Sequence, residues 1–321
     1  MTDFERYVVE EHIEDFNDGL ISRRELLRRV TFVTGSATAT VALLSTMGCG
    51  TSPSGSATPT PTSRGTSATQ DFATPPAQPS TDGVTVREND PRISVAPLDV
   101  KGADGAPLIG YSARPATGGP AGGILVIHEN RGLTAHIKDV VRRVATAGFT
   151  GLSIDLLSRD GGADKLTDPA AYAAALAKRT VPDMVSDVKQ ALAALSGSGV
   201  DSALGVTGFC FGGGMVWNTL AAGVAVKAAV PFYGPAPGDL AGLSATKAAV
   251  SAVYAEKDTR ITGTRDTIEA ALKRAGQPYK ITVYPGVDHA FHNDTGARYN
   301  ATQAEAAWIA TIEWLRQHVK R

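Results

Sequence analysis

The chain of 321 residues is 43% hydrophobic and 20% charged, with a formal net charge of −1. That balance suits a soluble globular protein, large enough for one α/β domain plus appendages, and gives no reason to expect nucleic acid as a partner. Two cysteines, Cys49 and Cys210, lie in stretches of different composition without metal-type Cys/His spacing, so neither a metal nor a cofactor is expected.

Residues 1–20 are polar and acidic with a helical look around Tyr7-Val8-Val9-Glu10-Glu11-His12-Ile13. Ser22-Arg23-Arg24-Glu25 then leads into Arg28-Arg29 and a charge-free, weakly apolar run over residues 30–47. A twin arginine before such a run is the pattern of a Tat export signal. A membrane anchor is the competing reading, but the many Ser, Thr and Gly residues make a poor spanning helix. Thr46-Met47-Gly48-Cys49 resembles a lipobox, with Thr46 where Leu is usual, so Cys49 is a candidate for lipidation. Residues 1–49 are thus expected to be a signal region. Residues 50–85, rich in Ser, Thr, Pro, Gly and Ala, read as a disordered tether, and the folded domain as residues 86–321. The expected location is the cell envelope, with membrane contact only through the signal or lipid and the domain a monomer.

The domain opens with an expected turn at residues 101–105 between two strand-like runs, a hairpin pattern. Residues 122–128 are almost continuously apolar, as in a central parallel strand, and end in Glu129-Asn130-Arg131-Gly132-Leu133. A helix is predicted over 136–147, a strand over 149–154 ending in Asp155, and an Ala-rich excursion over 160–180 across the sheet's carboxyl edge. An amphipathic helix over 181–195 precedes a short buried strand at 203–207. Further strands are read at 227–233, 248–254 and 279–284, and helices at 264–275 and 301–319. Alternation of this kind predicts a mainly parallel sheet covered on both faces, with ligands beyond the strands' carboxyl ends.

The chemistry clusters at those ends. Gly208-Phe209-Cys210-Phe211-Gly212 joins a strand to an apolar helix and has the shape of a nucleophile elbow with sulfur in place of oxygen. Flanking glycines relieve the tight turn, and the helix N-terminus favours a thiolate and a developing oxyanion. A structural cysteine in a Gly-rich turn is the plainer alternative. Asp258 follows the next-to-last strand and His289 the last, so the order nucleophile, acid, histidine is that of α/β-hydrolase triads. Glu256 competes with Asp258, and Asp288 and His292 neighbour His289; Asp258 is preferred for its distance from its strand.

Gly208-Phe209-Cys210-Phe211-Gly212-Gly213, Glu129 in His128-Glu129-Asn130-Arg131-Gly132-Leu133, Asp258 in Ala255-Glu256-Lys257-Asp258, and His289-Ala290-Phe291 together resemble the dienelactone hydrolase (carboxymethylenebutenolidase) family. The resemblance covers residues 90–321. It implies an α/β-hydrolase fold and a Cys210-His289-Asp258 triad that cleaves a small ester or lactone through a thioester, with Glu129 beside the thiol modulating its reactivity. By the elbow geometry, the backbone N–H groups of Phe211 and Asn130 would form the oxyanion hole. The family's substrate carboxylate is held by two arginines. Arg159 stands where one is expected; the second has no counterpart shortly after His289, where the next arginine is Arg298, and Arg131 or His292 are the substitutes. Tyr233 is a candidate pocket wall. An esterase or thioesterase of the same fold is the alternative, and a non-catalytic envelope binding protein the more distant one.

Overall fold

The computed structural model describes residues 3–46, 85–166, 168–200 and 202–320. Cys49 and the tether fall outside the described residues.

The eight-stranded sheet runs in the order β1-β4-β6-β5-β7-β8-β9-β10. β1 (Ile93–Ala96) and β4 (Gly110–Pro115) are antiparallel; β5 (Gly123–Ile127), β6 (Thr150–Ile154), β7 (Leu204–Phe209), β8 (Ala228–Phe232), β9 (Ala249–Ala255) and β10 (Tyr279–Tyr284) are parallel. The expected hairpin is present as β2 (Val100–Lys101) paired with β3 (Pro107–Leu108). Strands β5 to β9 are buried at every residue, because helices cover both faces. The covering helices are α4 (Ala135–Thr146), α5 (Pro169–Ala177), α6 (Val181–Leu195), α7 (Phe211–Ala221), α8 (Leu240–Leu243), α9 (Thr259–Thr262), α10 (Arg265–Ala275) and α11 (Ala301–His318). From β5 the chain passes to β6 on one side and, after α6, to β7 on the other. This reversal opens a crevice between the carboxyl ends of β5 and β7.

The folded body is larger than residues 86–321. Residues 3–46 form α1 (Asp3–Asn17), α2 (Arg23–Thr34) and α3 (Ala37–Thr46), and the apolar face they build joins the main core through Tyr7, Val8, Val9, Leu26 and Val30. The Ser-Arg-Arg-Glu stretch reads locally as a helix start: Ser22 Oγ accepts from the Glu25 N–H at 3.2 Å. Arg23 and Arg24 stay exposed, whereas Arg28 pairs with Asp168 and Arg29 with Glu25 and Asp15. Gly35 breaks the run in the left-handed region (φ 68°), so the weakly apolar stretch becomes two short helices. Among the described residues no helix is long and apolar enough to cross a membrane. At the start of the hydrolase domain, the N–H and hydroxyl of Thr85 bond Asp139 of α4.

Candidate active site

Cys210 stands between β7 and α7 with φ 57° and ψ −120°, a conformation an L-residue adopts only under constraint. The turn explains its glycines. A Cβ on Gly208 would be driven into the Gly212 carbonyl, and a Cβ on Gly212 into the carbonyls of Ile127 and His128. The Cys210 N–H is held by the Phe232 carbonyl at 3.1 Å, which locks the elbow to β8.

Asp258 closes α9 by accepting the Ile261 N–H at 3.2 Å, which leaves its other oxygen for His289. The His289 Nδ1–Asp258 Oδ2 distance is 2.6 Å, with both side chains buried. This contact fixes the imidazole with Nε2 turned toward Cys210. Burial alone would raise the Asp258 carboxyl, but the His289 charge outweighs it and holds Asp258 below its ordinary value. The competing carboxylates are engaged elsewhere: Glu256 accepts the Gly286 N–H at 2.7 Å, and Asp288 pairs with Lys257.

Glu129, buried at the end of β5, accepts from the Asn293 amide at 2.6 Å rather than from Arg131 or a backbone amide. The strand end is pinned by His128: its Nε2 accepts the Leu156 N–H at 2.9 Å, so its Nδ1 carries the proton and donates to the Glu129 carbonyl. Burial pushes the Cys210 thiol up first; Glu11 and Glu129 add to that, and His289 opposes it.

The other expected residues divide. Asn130 and Arg131 line the cleft, and Phe211 begins α7 directly behind the thiol. Tyr233 packs its ring 5.0 Å from the His289 ring, but it is fully buried with φ 35°, so it backs the histidine instead of facing solvent. Arg159 does not reach the cleft. It is spent on Asp104 (2.6 Å) and Asp187 (2.8 Å), tying the β2–β3 hairpin to α6. His292 is likewise withdrawn, stacked 5.0 Å from Phe209 in a buried aromatic cluster. The cleft arginine that spacing could not reveal is Arg298, carried back by the loop after His289. Arg260, two residues past Asp258, is the second cation near the thiol.

Helix α1 lies in this cleft. The Tyr7 hydroxyl is 3.1 Å from Cys210 Sγ, and Glu11 Oε2 is 3.8 Å from Sγ and 3.5 Å from His289 Nε2. Arg260 pairs with Glu11 and, at 3.2 Å, with Glu14, while its guanidinium covers the Tyr7 ring at 5.0 Å. Arg298 holds Asp15 at 3.1 Å and Asp18 at 2.7 Å. Burial would lower His289, but the charges of Glu11, Asp258 and Cys210 prevail and hold it well above its ordinary value. Glu11, Cys210 and His289 bring donor atoms within 4.8 Å of one another, as do Glu14, Asp258 and His289. A metal on the first set would occupy His289 Nε2, the nitrogen the thiol proton needs, while Nδ1 stays bonded to Asp258. The sequence marked α1 as helical but gave no sign of where it docks.

A strained turn carrying Cys210 at the carboxyl edge of a parallel sheet, beside a histidine bonded to an aspartate, defines an α/β-hydrolase-like protein. Residues 108–319 match the Dienelactone hydrolase family model. A carboxymethylenebutenolidase candidate of Methylorubrum extorquens is 38% identical over 65% of this chain and 76% of its own length. One from Escherichia coli strain K12 is 32% identical over 65% of this chain and 82% of its own. The crystal structure of a dienelactone hydrolase candidate from Klebsiella pneumoniae aligns with a TM-score of 0.64 at 28% identity, covering 70% of this chain and 99% of that one. The chain belongs to the dienelactone hydrolase family and is a carboxylic ester hydrolase.

Proposed function

We propose that the chain hydrolyses a small ester or lactone, dienelactone-like in its activated leaving group, through Cys210, His289 and Asp258. The observation that carries this reading is the convergence of the strained thiol with an imidazole already bonded to Asp258 at 2.6 Å. His289 takes the thiol proton as Sγ adds to the substrate carbonyl. The tetrahedral intermediate collapses, the C–O bond breaks, and the leaving oxygen receives that proton. Water then adds to the thioester with His289 as base, the C–S bond breaks, and the returning proton restores the thiol. The N–H groups of Phe211 and Asn130 are the oxyanion donors in this scheme. Glu129 acts beside the thiol as a charge that keeps it protonated when no substrate is present. With Arg159 committed to Asp104 and Asp187, the cleft cations open to an anionic substrate group are Arg298 and Arg131, with Arg260 close behind on Glu11.

The leader reading stands beside this as a proposal: export by the Tat route, lipidation at Cys49, and an envelope-tethered monomeric domain. The exposure of Arg23 and Arg24 supports it, because a folded chain still presents the twin arginine. The test of the catalytic reading is turnover of an enol-lactone and of p-nitrophenyl acetate, beside a Cys210→Ala variant. Both are assayed with and without Tyr7→Ala/Glu11→Lys, since Tyr7 and Glu11 stand against the thiol. Turnover lost with the sulfur supports the thiol mechanism; turnover retained in Cys210→Ala contradicts it.

A further inference from the structure

Tyr7 and Glu11, with the two cleft arginines and the catalytic pair, make one structure whose purpose the hydrolytic scheme does not explain. We propose that helix α1 is an intramolecular inhibitor: it seats Tyr7 on the Cys210 thiol and Glu11 between the thiol, His289 and Arg260, and it excludes substrate until it leaves. The inference rests on Cys210 being the nucleophile.

Several independent features point the same way. The first is geometry. An attacking thiol needs open space over Sγ along the carbonyl's approach, and the Tyr7 hydroxyl stands there at 3.1 Å. The cleft that remains beside α1 encloses about 200 Å³, below the range common for small-molecule sites. The second is charge. Three acidic residues on α1 and one just past its end have basic partners on the hydrolase body: Glu11 and Glu14 on Arg260, and Asp15 and Asp18 on Arg298. Those cations flank the catalytic pair, so α1 occupies with its own carboxylates the places an anionic ligand would take. The third is packing. Val8 and Val9 are fully buried, as an inserted element requires and a loosely trailing leader does not. Glu11 also works against proton transfer from the thiol, since its carboxylate, 3.5 Å from His289 Nε2, helps raise the imidazole.

The inhibitory element lies in the stretch read as a leader. If that leader is removed before Cys49, α1 goes with it. The hydrolase would then fold with its reactive thiol covered and become active once the leader is lost.

The experiment uses the full chain and two readouts: the rate of Cys210 alkylation by iodoacetamide and the turnover of p-nitrophenyl acetate. It compares the wild type with Tyr7→Ala/Glu11→Lys, with Arg298→Ala as a second way to loosen α1, and with Glu10→Lys as a control on a residue outside the contact. Both loosened variants should alkylate and turn over about tenfold faster or more, as expected when α1 is seated in nine molecules of ten. A synthetic peptide of residues 3–17 should return the double variant toward the wild-type rate, and the same peptide with Tyr7→Ala and Glu11→Lys should not. The proposal is overturned if both variants match the wild type or fall below it, or if the native peptide has no effect. Should wild type and variants turn over equally fast, the hydrolase reading stands and the inhibitory one falls. Should alkylation rise with no turnover in any of them, α1 covers the thiol and the hydrolase reading is what fails. A double variant that melts early is set aside in favour of Arg298→Ala, on which the same outcomes apply.

Discussion

At the scale of single residues, the site depends on backbone space as much as on side-chain chemistry. Gly212 sits where a Cβ meets the carbonyl of Ile127, which the β5–β7 ladder holds against Gly208, and that of His128 just past the strand. Gly212→Ala is therefore expected to destabilise the fold by about 1–3 kcal/mol or more, with the elbow displaced; thermal unfolding and p-nitrophenyl acetate turnover would both register it. Asp258→Asn should behave differently. Asparagine keeps an oxygen to cap α9 at Ile261, so the helix start survives, but the imidazole loses the carboxylate that fixes its tautomer and supports its charge. A loss of about 10³- to 10⁴-fold in kcat is expected in the α1-loosened chain. An unchanged kcat would remove Asp258 from the triad. Arg159 gives the opposite contrast, because it is bonded to Asp104 and Asp187 and not to the cleft. Arg159→Ala should cost about 1.5–3 kcal/mol of stability and leave KM for p-nitrophenyl acetate as it was. A raised KM with stability unchanged would return Arg159 to the substrate site.

At the scale of elements, the parallel core and its strand ends can be read from apolar runs punctuated by chemistry-bearing residues, which is why the sequence sets Glu129, Cys210, Asp258 and His289 just past strand ends, where the structure also has them. What stayed hidden required folding in three dimensions. Arg298 is separated from His289 by a turn-rich loop, and no spacing rule says that such a loop brings it back to the cleft. Arg159 failed for a related reason: its position after β6 matched expectation, but Asp104 and Asp187, distant in sequence, claim it. Helix α1 was legible as a helix, yet its weak, acidic pattern showed neither an apolar face nor a docking site. Its docking carries a pH signature. Glu11, Asp258 and Cys210 raise His289 against the effect of burial, with Glu14 and Arg260 also close by. A histidine raised in the folded state contributes stability that is full below about pH 6.5 and is lost as pH rises through the raised value. Cys210 and Tyr7, also raised chiefly by burial, act in the same direction at higher pH. The melting temperature of the full chain should thus fall from about pH 6 to about pH 9, and less steeply in Glu11→Gln. An identical slope in Glu11→Gln would show that Glu11 does not hold the imidazole charged.

At the scale of the whole molecule, one sheet edge gathers side chains from the ends of β5, β7, β9 and β10, and the amino-terminal helices close over it. The fold class follows from the alternation of strands and helices; that residues 3–46 join the body does not, because leader-like composition hides packing that is settled by partners far along the chain. The central claim is that Cys210 is the nucleophile. Its most direct test is mass analysis of the α1-loosened chain quenched early after mixing with p-nitrophenyl acetate. An acetyl group on Cys210 that forms and disappears at the turnover rate, absent in Cys210→Ala and slow to form in His289→Ala, is the predicted result. Acetylation at another residue, or undiminished turnover in Cys210→Ala, would contradict it.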